Sequence, residues 1–176
     1  MKVFTEYLHH NSPGIFTYQK FLVIVPSGQT KIWKYNKSCG PAKARDAYIG
    51  ETFMINKAFA EKFSDRWVVL SAKYGFINPD FIVPKDYNAS FNRPSTHPIG
   101  IEALKQQSKD KRLRDYDIVI ALGGRDYTEI VKKVFEDAPK VIALTQGLPV
   151  NKAMSRVKSL LIYEKNELSK VLNGIL

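Results

Sequence analysis

The stretch Trp67-Val-Val-Leu-Ser-Ala-Lys-Tyr-Gly-Phe-Ile-Asn-Pro-Asp80 carries the clearest indication of the fold. It begins with an apolar run of β-branched and aromatic residues, which is typical of a strand covered by helices on both faces. Small and polar residues follow, and Gly75 permits a sharp turn. Ligands of open α/β sheets bind beyond the carboxyl ends of the strands. We therefore expect a site at the residues that follow this strand, namely Ser71, Lys73, Tyr74, Gly75 and Asp80.

Other segments repeat this form, a short apolar run followed by a turn that contains glycine. They are Phe21–Val25 before Pro26-Ser27-Gly28, Ile118–Leu122 before Gly123-Gly124-Arg125, and Lys140–Leu144 before Thr145-Gln146-Gly147. Between them, helices are predicted over about Glu51–Phe63, from a cap at Ser95 or Thr96 to about Leu113, over Asp126–Glu136 and over Val150–Leu161.

Alternation of strands and helices implies a parallel sheet with right-handed crossovers. We therefore predict a three-layer α/β/α fold with a mostly parallel sheet of about four strands, with all the turns and the ligand site at the C-terminal strand edge. The chain is expected to form a single α/β domain over residues 1–176, with an N-terminal extension over 1–19 and a C-terminal helical tail over 163–176.

Two further segments are interpreted from local sequence. In the extension, Lys2–Thr5 could form an edge strand, and His9 and His10 are expected at the surface because neighbours on a helix do not face each other. Residues 76–95 are predicted to be a long irregular connection, which inside a compact domain is more often functional or mobile than idle.

The balance of charge indicates an anionic partner. Lys and Arg total 27 against 17 Asp and Glu, which gives a net charge of +10. Such a field favours polyanions or phosphorylated ligands, and general basicity or solubility is the alternative explanation. We therefore expect nucleic acid or a phosphorylated nucleotide as the partner.

The single cysteine, Cys39, excludes an internal disulfide, and one Cys with three His argues against a structural zinc site. We predict no metal and no cofactor. The neighbouring lysines could make the Cys39 thiol reactive, with an inert thiol as the alternative. The chain shows no secretory signal pattern and no apolar run long enough to span a bilayer, so we expect a cytoplasmic protein without membrane contact.

A basic and aromatic segment follows the first strand. No Asp or Glu occurs from Tyr7 to Arg45, and lysines alternate with aromatic residues there. This pattern suits contacts with backbone phosphates combined with base stacking, although the aromatic side chains could equally pack inward. The candidate nucleic-acid contacts are Lys31, Trp33, Lys34, Tyr35, Lys37 and Lys43.

The Gly123-Gly124-Arg125 turn predicts an anion site. A glycine pair before a helix leaves backbone N–H groups free at the positive helix end, and Arg125 would add a bidentate contact to phosphate or carboxylate. Asp126 is expected to cap the helix, with Glu129 as its capping-box partner.

Several motifs together resemble a known family. They are Gly40–Tyr48, Leu70–Phe76 with Asp80 and Pro84, Ala121–Tyr127 and Gln146–Leu148, which recur in the order seen in an uncharacterised family of small prokaryotic and phage domains. The resemblance covers about residues 20–162, and the Leu-Ser-Ala-Lys-Tyr-Gly motif is its most specific part.

The resemblance implies a distant relation to the peroxide-stress family that binds DNA, and to the lyase domain of archaeosine synthase, which is similar to uracil-DNA glycosylases. It implies nucleic-acid or nucleobase chemistry at the same sheet edge. Members commonly have a cysteine and consecutive lysines in the first turn, whereas this chain has Pro26–Lys31 there and its cysteine at position 39.

The first functional hypothesis is an enzyme acting on a nucleobase or nucleotide, plausibly at an N-glycosidic bond. Such a reaction needs a carboxylate, aromatic faces for the base and cations for the phosphates. Asp46 or Asp80 is the candidate carboxylate, and Lys73 contacts phosphate or acts as a nucleophilic amine. The ligand-binding candidates are Ser27, Arg45, Tyr48, Ser71, Tyr74, Gly75, Gly124 and Arg125, with Phe76 more suited to the core.

Two alternatives remain open. A non-catalytic DNA- or RNA-binding domain would use the acid-free basic segment and would not depend on Asp46 or Asp80. An enzyme acting on a small nucleotide or a sugar phosphate would share the Gly124–Arg125 site but would have no affinity for polymers. Asp46 could also serve only in an ion pair with Arg45, Lys43 or Arg125.

Overall fold

The computed structural model describes residues 19–137 and 139–175, and among the predictions the Lys2–Thr5 strand and the His9-His10 pair lie outside these residues. The strands are β1 (Phe21–Pro26), β2 (Ala42–Lys43), β3 (Arg66–Ser71), β4 (Gly75–Ile77), β5 (Ile82–Val83), β6 (Ile118–Ala121) and β7 (Lys140–Ala143). The helices are α1 (Ala44–Ala47), α2 (Glu51–Phe63), α3 (Ile101–Asp110), α4 (Arg125–Val134), α5 (Val150–Leu160) and α6 (Lys165–Ile175).

Five of the described strands form one sheet in the order β4-β3-β1-β6-β7, while β2 and β5 pair separately. β3, β1, β6 and β7 are parallel, which confirms the predicted mostly parallel sheet. β4 is antiparallel to β3. The prediction of an irregular connection from residue 76 onward is therefore wrong at its start, where the chain forms this strand. Gly75, with φ of +72°, closes the tight hairpin and pairs with Ser71. Three residues are too few to show a strand periodicity in the sequence.

Alternate residues of β1 face two separate cores, which produces the predicted three layers. Val23 and Val25 pack in a cluster with apolar side chains of α2, α5 and α6. Leu22 and Ile24 pack in a second cluster with side chains of α3 and α4. The continuous apolar run of β1 is thus explained by helices on both sides of a central strand.

The strand order creates a crevice at one end of β1. From β1 the chain passes to β3 on one side, and it later returns to β6 on the other side. The loops that follow β1 and β6 therefore leave the sheet in opposite directions, and ligands of doubly wound sheets bind at such a switch point. Gly123 lies against the β1 turn so closely that an added Cβ atom would be 2.7 Å from Cγ of Pro26.

Two predicted helix starts are wrong. α4 begins at Arg125 with Gly124 as its N-cap, so Asp126 lies in the first turn and does not cap the helix. α3 begins at Ile101, because the predicted caps Ser95 and Thr96 belong to a separate 3-10 turn that ends at His97 in a left-handed conformation.

Candidate functional site

A cavity of about 660 Å³ occupies the switch point, and we call it the switch-point cavity. Residues of three segments line most of it: the chain that follows β1 between positions 26 and 37, residues 86–93, and the start of α4 between positions 123 and 127. Residues 86–93, which we call the cover loop, extend across the ends of the strands. The cavity thus lies where the strand order predicts a ligand site.

Cations outnumber acids on the cavity wall. The charged lining residues are Lys31, Lys34, Lys37 and Arg93 against Asp86 and Asp126. Lys31 is only 9% exposed, and its buried ammonium is paired with a carboxylate and a carbonyl oxygen. Its Nζ donates to the carbonyl oxygen of Tyr87 at 2.9 Å and lies 3.3 Å from the carboxylate of Asp86. A buried lysine therefore ties the cover loop to the turn after β1.

Three hydroxyl groups meet at Tyr87, which lines the cavity. The Tyr87 Oη atom lies 2.7 Å from Tyr48 Oη and 2.8 Å from Ser71 Oγ. Ser71 Oγ in turn accepts hydrogen bonds from the backbone N–H groups of Lys73 and Tyr74, both at 3.1 Å. The turn after β3 and the cover loop are thus joined through one buried serine.

The directions of these hydrogen bonds follow from the number of donors and acceptors. Both acceptor positions of Ser71 Oγ are used by backbone N–H groups, so its own hydrogen is donated to Tyr87. Tyr48 is fully buried and its hydroxyl contacts Tyr87, so it also donates. Tyr87 Oη accepts both bonds, and Ser27, which also lines the cavity, interacts with the same oxygen.

Burial keeps the cavity tyrosines protonated. Removal from water raises the pKa of Tyr48, Tyr87 and Tyr127 above the ordinary tyrosine value. For Tyr87, the hydrogen bonds with Ser71 and Tyr48 and an interaction with Ser27 partly oppose the effect of burial on the pKa. At neutral pH these phenols are therefore hydrogen-bond donors.

The Gly123-Gly124 turn is held by Thr145, at the end of β7. The Thr145 hydroxyl donates to the carbonyl of Gly123 at 2.8 Å and accepts from its N–H at 2.9 Å. No side chain caps α4. The N–H groups of its first turn are therefore available to a ligand, because the first four N–H groups of a helix have no partner within the helix.

Several predicted site residues lie together at the cavity. Those that line it are Ser27, Lys31, Trp33, Lys34, Lys37 and Gly124. Tyr48 and Ser71 lie directly behind the cavity wall through their bonds to Tyr87. Trp33 is buried and its Nε1 donates to the carbonyl of Cys39 at 2.8 Å, so its ring is fixed by the core.

The predicted catalytic residues lie elsewhere. The side chains of Asp46 and Asp80 are both 61% exposed and do not line the cavity. Asp46 is 3.8 Å from Lys57, which is a different cation from those expected. Asp80 pairs with Lys43 at 3.0 Å and Arg45 at 3.1 Å, and the hydrogen bond from Lys43 lowers its pKa. Their positions are those of surface ion pairs.

The remaining predicted residues surround the cavity without lining it. Lys73 Nζ lies 5.1 Å from the ring centre of Tyr74 and 5.4 Å from that of Tyr87. Gly75 shapes the hairpin and is closely approached by Gln107. Tyr35 is 73% exposed, and Arg125 is exposed at the surface of α4.

Sequence reasoning missed the residues that complete the cavity. They include Gln29, Tyr87, Phe91, Arg93 and Tyr127, together with Asp126, which was interpreted only as a cap. The useful signal was the length of the segment 76–95, which indicated function but not which side chains face inward.

Residues 19–137 and 139–175 contain no group of three or more His, Cys, Asp or Glu side chains arranged to hold a metal ion. None of the helices described is both long and apolar enough to cross a bilayer.

Comparisons with known proteins identify the family of this chain. Residues 34–159 match the model of a family described as "Family of unknown function (DUF6884)". The "Uncharacterized protein YfjM" of Bacillus subtilis (strain 168) is 34% identical over 115 residues, which cover 65% of this chain and 77% of that protein. No solved structure matches. The chain therefore belongs to the DUF6884 family of unknown function.

Proposed function

We propose that this protein is an enzyme that acts on a nucleotide, free or within a nucleic acid, at the N-glycosidic bond, and that the switch-point cavity is its active site. One observation carries the proposal: a cavity at the switch point of a doubly wound sheet has cations, aromatic rings and protonated phenols on the same wall. The resemblance of the chain to domains with nucleobase chemistry adds support.

The basic part of the wall suits phosphate. Lys34, Lys37 and Arg93 line the cavity, and Lys31 adds a buried ammonium. The N–H groups at the uncapped start of α4 add further donors. Charge-assisted hydrogen bonds of this kind are stronger than those between neutral groups.

Aromatic rings suit the base. Phe91 of the cover loop packs edge-to-face against Tyr127 of α4, with ring centres 5.4 Å apart. Both residues line the cavity. Rings of this kind offer stacking surfaces that accept any base. If the nucleotide belongs to a polymer, it must leave the base stack to enter.

We assign the two proton transfers of hydrolysis to Asp126 and Tyr87, which both line the cavity. Water adds its hydroxyl to the anomeric carbon as the bond to the base nitrogen breaks, and the base nitrogen takes up a proton. Asp126 lines the cavity in the first turn of α4 and would align the water and accept its proton. Tyr87, a protonated phenol that lines the cavity, would supply the proton to the base. Asp126 thus takes the role that sequence reasoning assigned to Asp46 or Asp80.

A specific observation also favours non-catalytic nucleic-acid binding as a second candidate. Tyr35 is 73% exposed, and Lys34 Nζ lies 5.5 Å from its ring centre. With Lys37, these side chains extend the basic wall of the cavity onto the outer surface. There, single-stranded nucleic acid could stack a base on Tyr35 and place its phosphates next to the lysines.

Incubation with nucleoside monophosphates and with single-stranded oligonucleotides, followed by chromatography of released bases, tests the proposal. We expect release by the wild-type protein, and a decrease of about 100-fold or more in Asp126→Asn. Asp80→Asn is the matched control, since that carboxylate is paired at the surface. Salt-dependent binding without any base release would instead support the binding domain.

A further inference from the structure

Arg93 of the cover loop is a cation of the cavity wall without a carboxylate partner. It is exposed, and it is the only arginine among the described residues that line the switch-point cavity. Its Nη2 atom donates to the side-chain oxygen of Asn88 at 3.2 Å, and no carboxylate within residues 19–137 and 139–175 pairs with it. A guanidinium has five N–H donors in a planar fork, so a single bond to a neutral amide leaves most of them available.

The charges of the cavity wall are not balanced. Lys31 and Asp86 pair with each other at 3.3 Å. The charged lining residues without an ion pair in the described part of the chain are Lys34, Lys37, Arg93 and Asp126. Three unpaired cations against one unpaired carboxylate favour an anionic group in this cavity.

The cover loop belongs to a longer segment that backbone hydrogen bonds join to neighbouring elements only at its ends. Val83 pairs with β2, and the N–H of Ile99 donates to the carbonyl of Ala72 at 2.8 Å. Between these points, every backbone-to-backbone hydrogen bond described for residues 84–98 is internal to the segment. Segments with few such bonds to the rest of a fold open at a low cost in free energy.

The part of this segment around Arg93 is bonded to itself. The N–H of Ser90 donates to Thr96 Oγ1 at 2.9 Å, and the Thr96 hydroxyl donates to the carbonyl of Arg93 at 2.7 Å. The N–H of Arg93 donates to the carbonyl of Ser90 at 3.1 Å. Because these bonds make residues 90–96 one compact turn, a contact made by the Arg93 side chain acts on the whole turn.

Tyr87 and Phe91 fasten the segment to the rest of the fold with unequal strength. Tyr87 is held by the hydroxyl groups of Tyr48 and Ser71 and by the Lys31 ammonium. Phe91 is half-buried, and it contributes its ring contact with Tyr127 and packing against the second core cluster. The cover loop is thus fixed at its first residues and held less firmly over residues 88–93.

We propose that Arg93 binds the phosphate of the ligand and thereby closes the cover loop over the switch-point cavity. A phosphate offers two oxygens to the guanidinium fork, and these charge-assisted bonds replace the weaker bond to Asn88. Lys34 and Lys37 belong to the chain that follows β1, so the same anion joins that wall to the loop.

The inference rests on the proposed function only in taking the phosphate to be that of a nucleotide. Arg93 is then a positioning residue. Closure of the loop fixes the nucleotide against the wall that carries Tyr87 and Asp126, and it separates the reacting bond from bulk water.

Amide hydrogen exchange of the full chain, alone and with added probes, measures closure. Adenosine 5′-monophosphate and adenosine form a matched pair, because they differ only in the phosphate, and inorganic phosphate tests the anion alone. The amides of Ser90 and Arg93 are the reporters, since both are hydrogen-bonded within the turn. We expect adenosine 5′-monophosphate at saturation to slow their exchange by about tenfold, inorganic phosphate at high concentration to act in the same direction, and adenosine to have no effect.

Three variants separate the guanidinium fork from charge alone. Arg93→Gln should abolish the slowing and weaken binding of adenosine 5′-monophosphate, measured by calorimetry, by about tenfold or more. Arg93→Lys keeps the charge without the fork, and it should restore part of the binding but little of the slowing. Lys85→Gln is the matched control, because it removes one charge from an exposed residue outside the cavity, and it should change neither measurement.

The outcomes distinguish this inference from the proposed function. Binding of adenosine 5′-monophosphate that leaves the exchange of residues 88–93 unchanged would overturn closure and leave nucleotide binding in place. If neither this nucleotide nor a single-stranded oligonucleotide binds, while inorganic phosphate slows the exchange in wild-type protein and not in Arg93→Gln, closure is supported and the proposed function fails. Slowing that persists in Arg93→Gln, or that adenosine produces equally, would overturn the role of Arg93, as would the absence of a response to every probe.

Discussion

The hydroxyl oxygen of Tyr87 lies 2.7 Å from that of Tyr48, although the two residues are 39 positions apart in the chain. Tyr48 follows α1 and is fully buried, whereas Tyr87 belongs to the cover loop and lines the switch-point cavity. Ser71, at the end of β3, completes the contact. The shape of the cavity therefore depends on hydroxyl groups from three distant parts of the chain.

We expect Tyr87→Phe to destabilise the protein by about 1–3 kcal/mol, because the buried hydroxyls of Tyr48 and Ser71 lose their acceptor. Urea unfolding monitored by circular dichroism measures the change. Tyr35→Phe is the matched control, since the exposed Tyr35 should tolerate the loss of its hydroxyl. Equal effects of the two substitutions would contradict the buried network.

Stability should fall steeply at high pH. Burial raises the folded-state pKa of Tyr48, Tyr87 and Tyr127. The unfolded chain therefore releases these protons first, near pH 10. The stabilisation is complete below that pH and is lost as the pH rises through the folded-state pKa values, by about 1.4 kcal/mol per pH unit for each tyrosine.

Urea midpoints between pH 8 and pH 11, combined with tyrosinate absorbance, test this dependence. We expect some tyrosines to remain protonated until the chain unfolds. Tyr48→Phe should flatten the loss of stability above pH 10, while Tyr35→Phe should not. A stability that is constant through this range would refute the assignment.

The parts of the fold that could be predicted from sequence were those encoded locally. The apolar run of β1 and the helical spacing of α2 are each contained in one segment, and the predicted bounds Glu51–Phe63 agree with the structure. The site could be predicted where residues closely follow a strand, as at Ser27 and Gly124, and where lysines alternate with aromatic residues, as at Lys31 and Lys34. The cover loop could not, because its position depends on contacts of Tyr87 with residues far along the chain.

The wrong prediction of the catalytic carboxylate also arose because the sequence does not show which segments meet in the fold. The sequence places Asp80 soon after β3. It does not show that the chain forms β4 between them, on the side of β3 away from β1. Asp126 was predicted to be the N-cap of α4, because the sequence after a glycine pair does not show at which residue the helix begins. Only the three-dimensional arrangement shows that Asp126, although exposed, is one of the residues that line the cavity.

Gly123→Ala should be strongly destabilising. Gly123 has φ of +106°, and an added Cβ would lie 2.7 Å from Cγ of Pro26. We expect a loss of about 2 kcal/mol or more. Gly124→Ala is the matched control, because its φ of −73° is ordinary and its Cβ would meet nothing within 4 Å. Its cost as a poorer N-cap should stay below about 1 kcal/mol in the same unfolding assay.

The pKa of Asp80 should depend on Lys43. The hydrogen bond and charge of Lys43 lower the pKa of the Asp80 carboxyl, with Arg45 adding to the effect. Lys43→Met should therefore move this pKa back toward the ordinary value, as followed by a carboxyl NMR titration. The paired carboxylate favours folding above the ordinary pKa and loses this effect as the pH falls through the lowered value. An unchanged pKa in Lys43→Met would show that the ion pair does not persist in solution.

Removal of the Lys31 ammonium should loosen the cover loop. Lys31 Nζ donates to the carbonyl of Tyr87 and contacts Asp86, and it lies 4.5 Å from the centre of the Tyr87 ring. Lys31→Met keeps most of the side-chain volume but leaves these groups without their cation. We expect amide hydrogen exchange over residues 86–88 to accelerate by about tenfold, which corresponds to about 1.4 kcal/mol of local stability.

Lys34→Met is the control, because Lys34 lines the same cavity without a hydrogen bond to the loop. It should weaken nucleotide binding in a salt-dependent manner and leave the exchange unchanged. Equal acceleration in both variants would indicate that the charge of the wall, and not the buried contacts of Lys31, holds the cover loop over the cavity.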